Sequence, residues 1–142
     1  MTIGCEFCTI VATPHSTETV FEDEANIAFS PLQPATTGHL LVVPRQHRRF
    51  LWELTAHECS TLFTSVRALA NSVMNAIRPD GLNIVQSNGP EASQTVFHVH
   101  VHIVPRWKDD KVGDMWPSRN AMKATPDYRA LTSIRNESNR NT

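Results

Sequence analysis

Between Phe97 and Val104 the chain alternates without interruption: Phe97, Val99, Val101 and Ile103 are apolar, and His98, His100 and His102 stand between them. Successive side chains of a β-strand project to opposite faces, so this pattern predicts a strand over 95–104 with one packing face and one face of three imidazoles. The apolar face demands a covering layer, which the rest of the chain has to supply. An ordinary solvated strand is the alternative, but threonine, lysine or glutamate would serve solvation as well, and three of the seven histidines are gathered here.

The covering layer is legible upstream. Thr55-Ala56-His57-Glu58 has the form of a capping box, and Leu62, Phe63, Val66, Leu69, Ala70, Val73, Met74 and Ile77 recur at helical spacing up to Pro79-Asp80-Gly81. Cys59 falls on the same stripe and reads as a buried, inert thiol. Strand signals occur at 19–21, 27–29, 39–43 and 82–87, with Glu22-Asp23-Glu24 turning between the first two. Pro44 and Pro105 are expected to end the third and fifth strands, because proline donates no ladder hydrogen bond. Strands, one long helix, then strands predict an α+β domain built on an antiparallel sheet with helix on one face.

A chain of 142 residues suits one core rather than two. The domain is expected over 1–107, followed by an extension over 108–142 that is partly irregular and ends, from Asn136, in a disordered composition. The formal net charge of −1 offers no overall positive field for DNA, although residues 1–105 carry net −4 and residues 106–142 net +3. Leu40-Leu41-Val42-Val43 is too short to span a membrane and no export signal is visible, so a cytoplasmic protein is expected. Cys5-x-x-Cys8 suits a metal clip or a free thiol pair in a reducing compartment better than a disulfide framework.

Clustered imidazoles either bind transition metals or perform nucleophilic and acid–base work. Before them runs Ser87-Asn88-Gly89-Pro90-Glu91-Ala92-Ser93-Gln94-Thr95, which is good turn chemistry and is also rich in groups able to face an anion. The stretch Gln94-Thr95-Val96-Phe97-His98-Val99-His100-Val101-His102 resembles the signature of the histidine triad superfamily. Cys5-Glu6-Phe7-Cys8 and Gly38-His39-Leu40-Leu41-Val42-Val43-Pro44-Arg45-Gln46-His47 are similar to further landmarks of its bacterial members, in the same order.

The resemblance implies a five-stranded antiparallel sheet with one long and one short N-terminal helix, paired with a second copy in a homodimer. It implies that His100 attacks the α-phosphorus of a purine nucleotide, as a phosphoramidate, acyl-nucleotide or dinucleoside polyphosphate, to give a nucleotidyl-histidine that water resolves. His102 and His39 assist, and Gln94, Thr95, Ser87 and Asn88 lie on the phosphate side. Catalysis itself needs no cofactor; a structural zinc is implied on Cys5, Cys8, His47 and His98. The chain departs from the family pattern at Pro31, where a ribose-binding acid or amide is usual, at Ser87 and at Ser93, which replaces a glycine. Met115-Trp116-Pro117 resembles a segment that reaches a partner's active site. A metallohydrolase with zinc on the three strand histidines and a non-catalytic nucleotide-binding protein are the competing readings.

Overall fold

The computed structural model describes residues 2–118, 121–122 and 124–140. Five strands form one antiparallel sheet in the order β1-β2-β3-β5-β4: β1 Thr19–Glu22, β2 Asn26–Phe29, β3 Leu40–Pro44, β4 Gly81–Val85 and β5 Val101–Arg106. Helix α1 spans Glu6–Ala12 and α2 spans Ala56–Ile77. The chain divides into two compact units, Met1–Val112 and Gly113–Thr142.

Helix α2 begins as its sequence dictates. Thr55 accepts from the Glu58 N–H at 3.1 Å while the Glu58 carboxylate accepts from the Thr55 N–H at 2.8 Å, satisfying two orphan donors of the first turn. Its buried apolar residues Leu62, Val66, Leu69 and Val73 pack on Ala28, Leu40, Val42, Val99, Val101 and Ile103. The stripe is narrower than expected. Phe63, Met74 and Ile77 are each 39% exposed and Cys59 is only half-buried, because a sheet covers one side of a helix and these positions flank that side.

The opposite sheet face is also covered. Phe7 of α1 joins Ile27, Phe29, Leu41 and Val43 in a second cluster, so β2 and β3 are buried along their whole length. Their continuous apolar runs have this cause.

Two boundaries of the expected fifth strand are corrected. Residues 95–100 form no ladder with β3 or β4; β5 starts at Val101, where pairing with Val42 begins. The earlier segment is held across the sheet end by the Val99 N–H donating to the Arg48 carbonyl at 2.7 Å. Nor does Pro105 end the strand. It pairs with Leu82 inside β5, beyond the point where β3 has stopped at its Leu40–Ile103 pair, so its missing N–H interrupts no ladder bond. Its carbonyl accepts from the Thr36 hydroxyl at 2.6 Å.

The second unit contains α3, Tyr128–Ser138, capped by the Asp127 carboxylate on the Arg129 and Ala130 N–H groups. The expectation of disorder from Asn136 is therefore revised for 136–138; a local cap outweighs the polar composition there. Among the described residues no helix is long and apolar enough to cross a membrane.

Candidate functional site

The alternation of the histidine segment survives even where the ladder does not. Val99, Val101 and Ile103 lie in the α2-side core, and His98 and His100 face α1. Phe97 leaves the expected apolar set: it meets Phe50 edge-on at 6.2 Å between centroids, with the Arg49 guanidinium 5.3 Å from its ring.

His100 is 7% exposed. Its Nδ1–H donates to the His98 carbonyl at 2.7 Å, which fixes the neutral tautomer and leaves a lone pair on Nε2. Burial lowers its pKa, favouring that neutral ring. Phe7 packs edge-on against it, centroids 5.0 Å apart, and seals one side.

His39 and His102 form a relay whose polarity is set at its far end. The Ala35 N–H donates to His39 Nδ1 at 3.0 Å, so that nitrogen holds the lone pair and the proton sits on Nε2. The His39 Nε2–H then donates to His102 Nδ1 at 2.9 Å, which puts the His102 proton on its own Nε2. Burial lowers the pKa of both; with added repulsion from His100 and His39, that of His102 falls to about 4. The rings of His100 and His102 lie 5.0 Å apart. One thus carries a free acceptor nitrogen and its neighbour a free N–H.

The remaining triad histidine turns elsewhere. His98 is fully buried; its Nε2–H donates to the Pro44 carbonyl at 2.8 Å, leaving Nδ1 3.5 Å from Cys5 Sγ and 3.6 Å from Cys8 Sγ. His47 Nδ1 is 3.3 Å from Cys8 Sγ, and the four ligand atoms all fall within 4.8 Å of one another. Metal–sulfur bonds of ~2.3 Å and metal–nitrogen bonds of ~2.0 Å at tetrahedral angles imply sulfur–nitrogen edges of about 3.5 Å, so the spacing fits such an ion. The Pro44 carbonyl is the outer partner that commonly orients a ligating imidazole. Among the described residues this is the one group of three or more side chains convergent on a metal. The three strand histidines do not converge.

The 87–95 loop is held by its own amides. Gln94, 3% exposed, accepts from the Gly89 N–H at 2.8 Å and donates to the carbonyls of Arg49 at 2.9 Å and Val96 at 3.2 Å, so its side chain shapes the loop. Asn88 accepts from the Leu51 N–H at 2.8 Å and exchanges bonds with the Gln86 amide. The Ser87 carbonyl accepts from Gln86, and Thr95 is exposed. Ser93 adopts φ +67°.

Phe7, which packs on His100, also walls a cleft of about 160 Å³ together with Ile10, Phe29, Leu41 and Pro31. Sequence reasoning gave Phe7 no role, although its place inside Cys5-x-x-Cys8 was the available signal. Ala35 and the Pro44 carbonyl contribute through backbone atoms, which carry no sequence signature. Trp116, in the second unit, is 72% exposed.

An α+β domain with an acceptor imidazole and a donor imidazole side by side, next to a closed Cys2His2 set, defines a narrow class. The HIT domain matches residues 13–109. An adenosine 5'-monophosphoramidase of Schizosaccharomyces pombe is 34% identical over 117 residues, covering 82% of this chain and 85% of the relative. The crystal structure of a HIT family protein from Bacillus anthracis matches with a TM-score of 0.82 at 32% identity, over 97% of this chain and 99% of that one. That of a Zn-bound histidine triad family protein from Mycobacterium smegmatis matches with a TM-score of 0.71 at 28% identity, over 95% and 98%. The chain belongs to the HIT family.

Proposed function

We propose that this protein is a nucleotide hydrolase or transferase that cleaves at the α-phosphate through a nucleotidyl-histidine on His100, as a phosphoramidase or dinucleoside polyphosphate hydrolase. The carrying observation is the bond from His100 Nδ1–H to the His98 carbonyl, which supports a lone pair at Nε2 in a ring already neutral at pH 7. Nε2 attacks the α-phosphorus as the bond to the leaving group breaks and that group departs with its electron pair. The His98 carbonyl stabilises the positive charge growing on the ring. The free Nε2–H of His102, oriented by His39, donates to a phosphate oxygen or the leaving group. Water then displaces His100 from phosphorus and releases the nucleoside monophosphate. The cleft beside Phe7 and Leu41 takes the nucleoside. Thr95, Ser87 and Asn88 border the phosphate side, with Gln94 holding their loop.

The ion held by Cys5, Cys8, His47 and His98 is proposed to be zinc, in agreement with the Zn-bound relative and the donor set. A closed set of four supplies structure, fastening α1 to the ends of β3 and β5. The exposed Phe63, Met74 and Ile77, with Ile84 at 45% on edge strand β4, favour a homodimer across that face. The thiols suit the reducing cytoplasm, and a catalytic domain ending near residue 107 completes the proposal.

The test is intact-mass spectrometry during turnover of a nucleoside 5'-phosphoramidate. A covalent nucleotidyl adduct, absent in His100→Ala that still retains one zinc per chain, is the expected result. Loss of zinc in that variant would favour the metallohydrolase; tight binding without adduct or product would favour a binding protein.

A further inference from the structure

The two thiols of the Cys2His2 set are unequally sheltered. Cys8 is 3% exposed and His98 is fully buried, whereas Cys5 and His47 are half-buried. Cys5 and His47 also line a cleft of about 350 Å³, together with Thr2, Glu6, Arg49 and Phe97; Cys8 and His98 do not line it. The set is therefore open to solvent on the Cys5 side. The cleft carries one guanidinium and one carboxylate, from Arg49 and Glu6, so an uncharged reagent the size of a few waters, each ~30 Å³, enters it freely.

The pair is also placed for joining. Cys5 is the N-cap residue of α1, Cys8 lies in the first turn, and their sulfurs fall within 4.8 Å of each other. Cα atoms three residues apart on a helical turn are about 5 Å apart, inside the ~4.4–6.8 Å that a disulfide spans. The Cys5 sulfur caps no helix N–H, and the backbone there is held independently of it. The Cys5 N–H donates to the Thr2 carbonyl at 3.1 Å, and the Cys5 carbonyl accepts from the Thr9 N–H at 3.2 Å. A bond between the sulfurs thus asks for rotation of side chains rather than movement of the helix. The third cysteine, Cys59, lies on α2 and outside this group.

We propose that Cys5 and Cys8 form a redox-sensitive pair, in which hydrogen peroxide oxidises Cys5, Cys8 resolves it as a disulfide, and the metal is released; this rests on the zinc reading above. The Cys5 thiolate attacks one peroxide oxygen as the O–O bond breaks, giving a sulfenic acid and a hydroxide. The Cys8 thiolate then attacks that sulfur, the S–O bond breaks, and a second hydroxide leaves. Two electrons pass from the sulfurs to the peroxide, and both hydroxides take protons from solvent to become water. The two imidazoles that remain, His47 and His98, make no closed tetrahedral set, and the ion departs. In a reducing compartment such a disulfide is transient and reverses by exchange with a thiol.

The test uses zinc-reconstituted full-length protein, its metal content measured first. It is treated with hydrogen peroxide beside a colorimetric zinc chelator too weak to strip the untreated protein. One zinc per chain is expected to appear in step with a mass loss of two hydrogen atoms, mapped by digestion to a disulfide between Cys5 and Cys8. Dithiothreitol with added zinc should reverse both changes, and Cys59→Ser should behave as the wild type. In Cys8→Ser, where the resolving thiol is gone, dimedone should label Cys5. Zinc kept under peroxide, zinc lost without the disulfide, a bridge to Cys59, or no label on Cys5 in Cys8→Ser would each overturn the proposal and leave the zinc reading intact. Failure to take up zinc at all would refute that reading, and the release with it.

Discussion

At the scale of single residues, the site is organised by where protons are placed. His39 touches neither the proposed nucleophile nor the phosphate path, yet its Nε2–H decides which nitrogen of His102 remains a donor. His39→Ala frees His102 to carry its proton on Nδ1. Turnover should fall by about 10²-fold, the usual size for one misplaced donor, with the circular dichroism spectrum unchanged. Acid should also unfold the protein through these rings. The folded-state pKa of His102 is about 4 against 6.5 for a free ring, and that of His39 is lowered too. Between those values the unfolded chain binds protons that the folded one refuses, so stability is whole above pH 6.5 and declines as pH falls towards 4. Denaturant midpoints across pH 4–7.5 should show that slope, and His102→Gln should flatten it. Ser93 offers an opposite case. Its left-handed backbone costs a non-glycine residue roughly 1–2 kcal/mol, partly offset by the greater unfolded freedom of glycine. Ser93→Gly should raise stability by about 0.5–1 kcal/mol, read from the same midpoints.

At the scale of elements, what could be read in advance was whatever a local rule governs. The capping box of α2 is complete within four residues, and the positions of all five strands follow from apolar runs bounded by turns. The errors come from partners that sequence does not display. Residues 95–100 alternate like a strand, but β3 stops pairing at Val42 and β4 at Val85, so no strand forms a ladder with them. Phe63, Met74 and Ile77 keep helical period with the core and lie outside the width of the sheet. The catalytic assignment rested on a resemblance. Which nitrogen each ring uses depends on the carbonyls of His98 and Pro44 and the N–H of Ala35, invisible in a one-letter string. Gly38 shows a rule acting at the join between elements. It adopts φ +78°, and a Cβ there would stand 2.6 Å from Ile77 Cδ1 at the end of α2. Gly38→Ala should cost at least about 1 kcal/mol from its backbone conformation alone, measured by chemical denaturation.

At the scale of the whole molecule, the residues proposed for catalysis all lie in the first unit, Met1–Val112. The second, Gly113–Thr142, carries α3 with Tyr128, Leu131 and Ile134 exposed, and its sequence accounts for most of the basic excess of 106–142. The first unit has its own sheet, both covering layers and every residue assigned to catalysis. A chain ending at Val112 should therefore keep the thermal transition of the sheet and α2, as differential scanning calorimetry would show.

Phe7 sits between Cys5 and Cys8 in the opening turn of α1, so the wall beside the proposed nucleophile hangs from the same peg as the proposed ion. Chelation should consequently silence the enzyme without touching a reacting atom. The sheet and long helix would persist in far-ultraviolet dichroism, while turnover would disappear with the ion and return when zinc is restored. Metal supply would then act on this chain as a tap acts on a pipe, from outside the stream it governs.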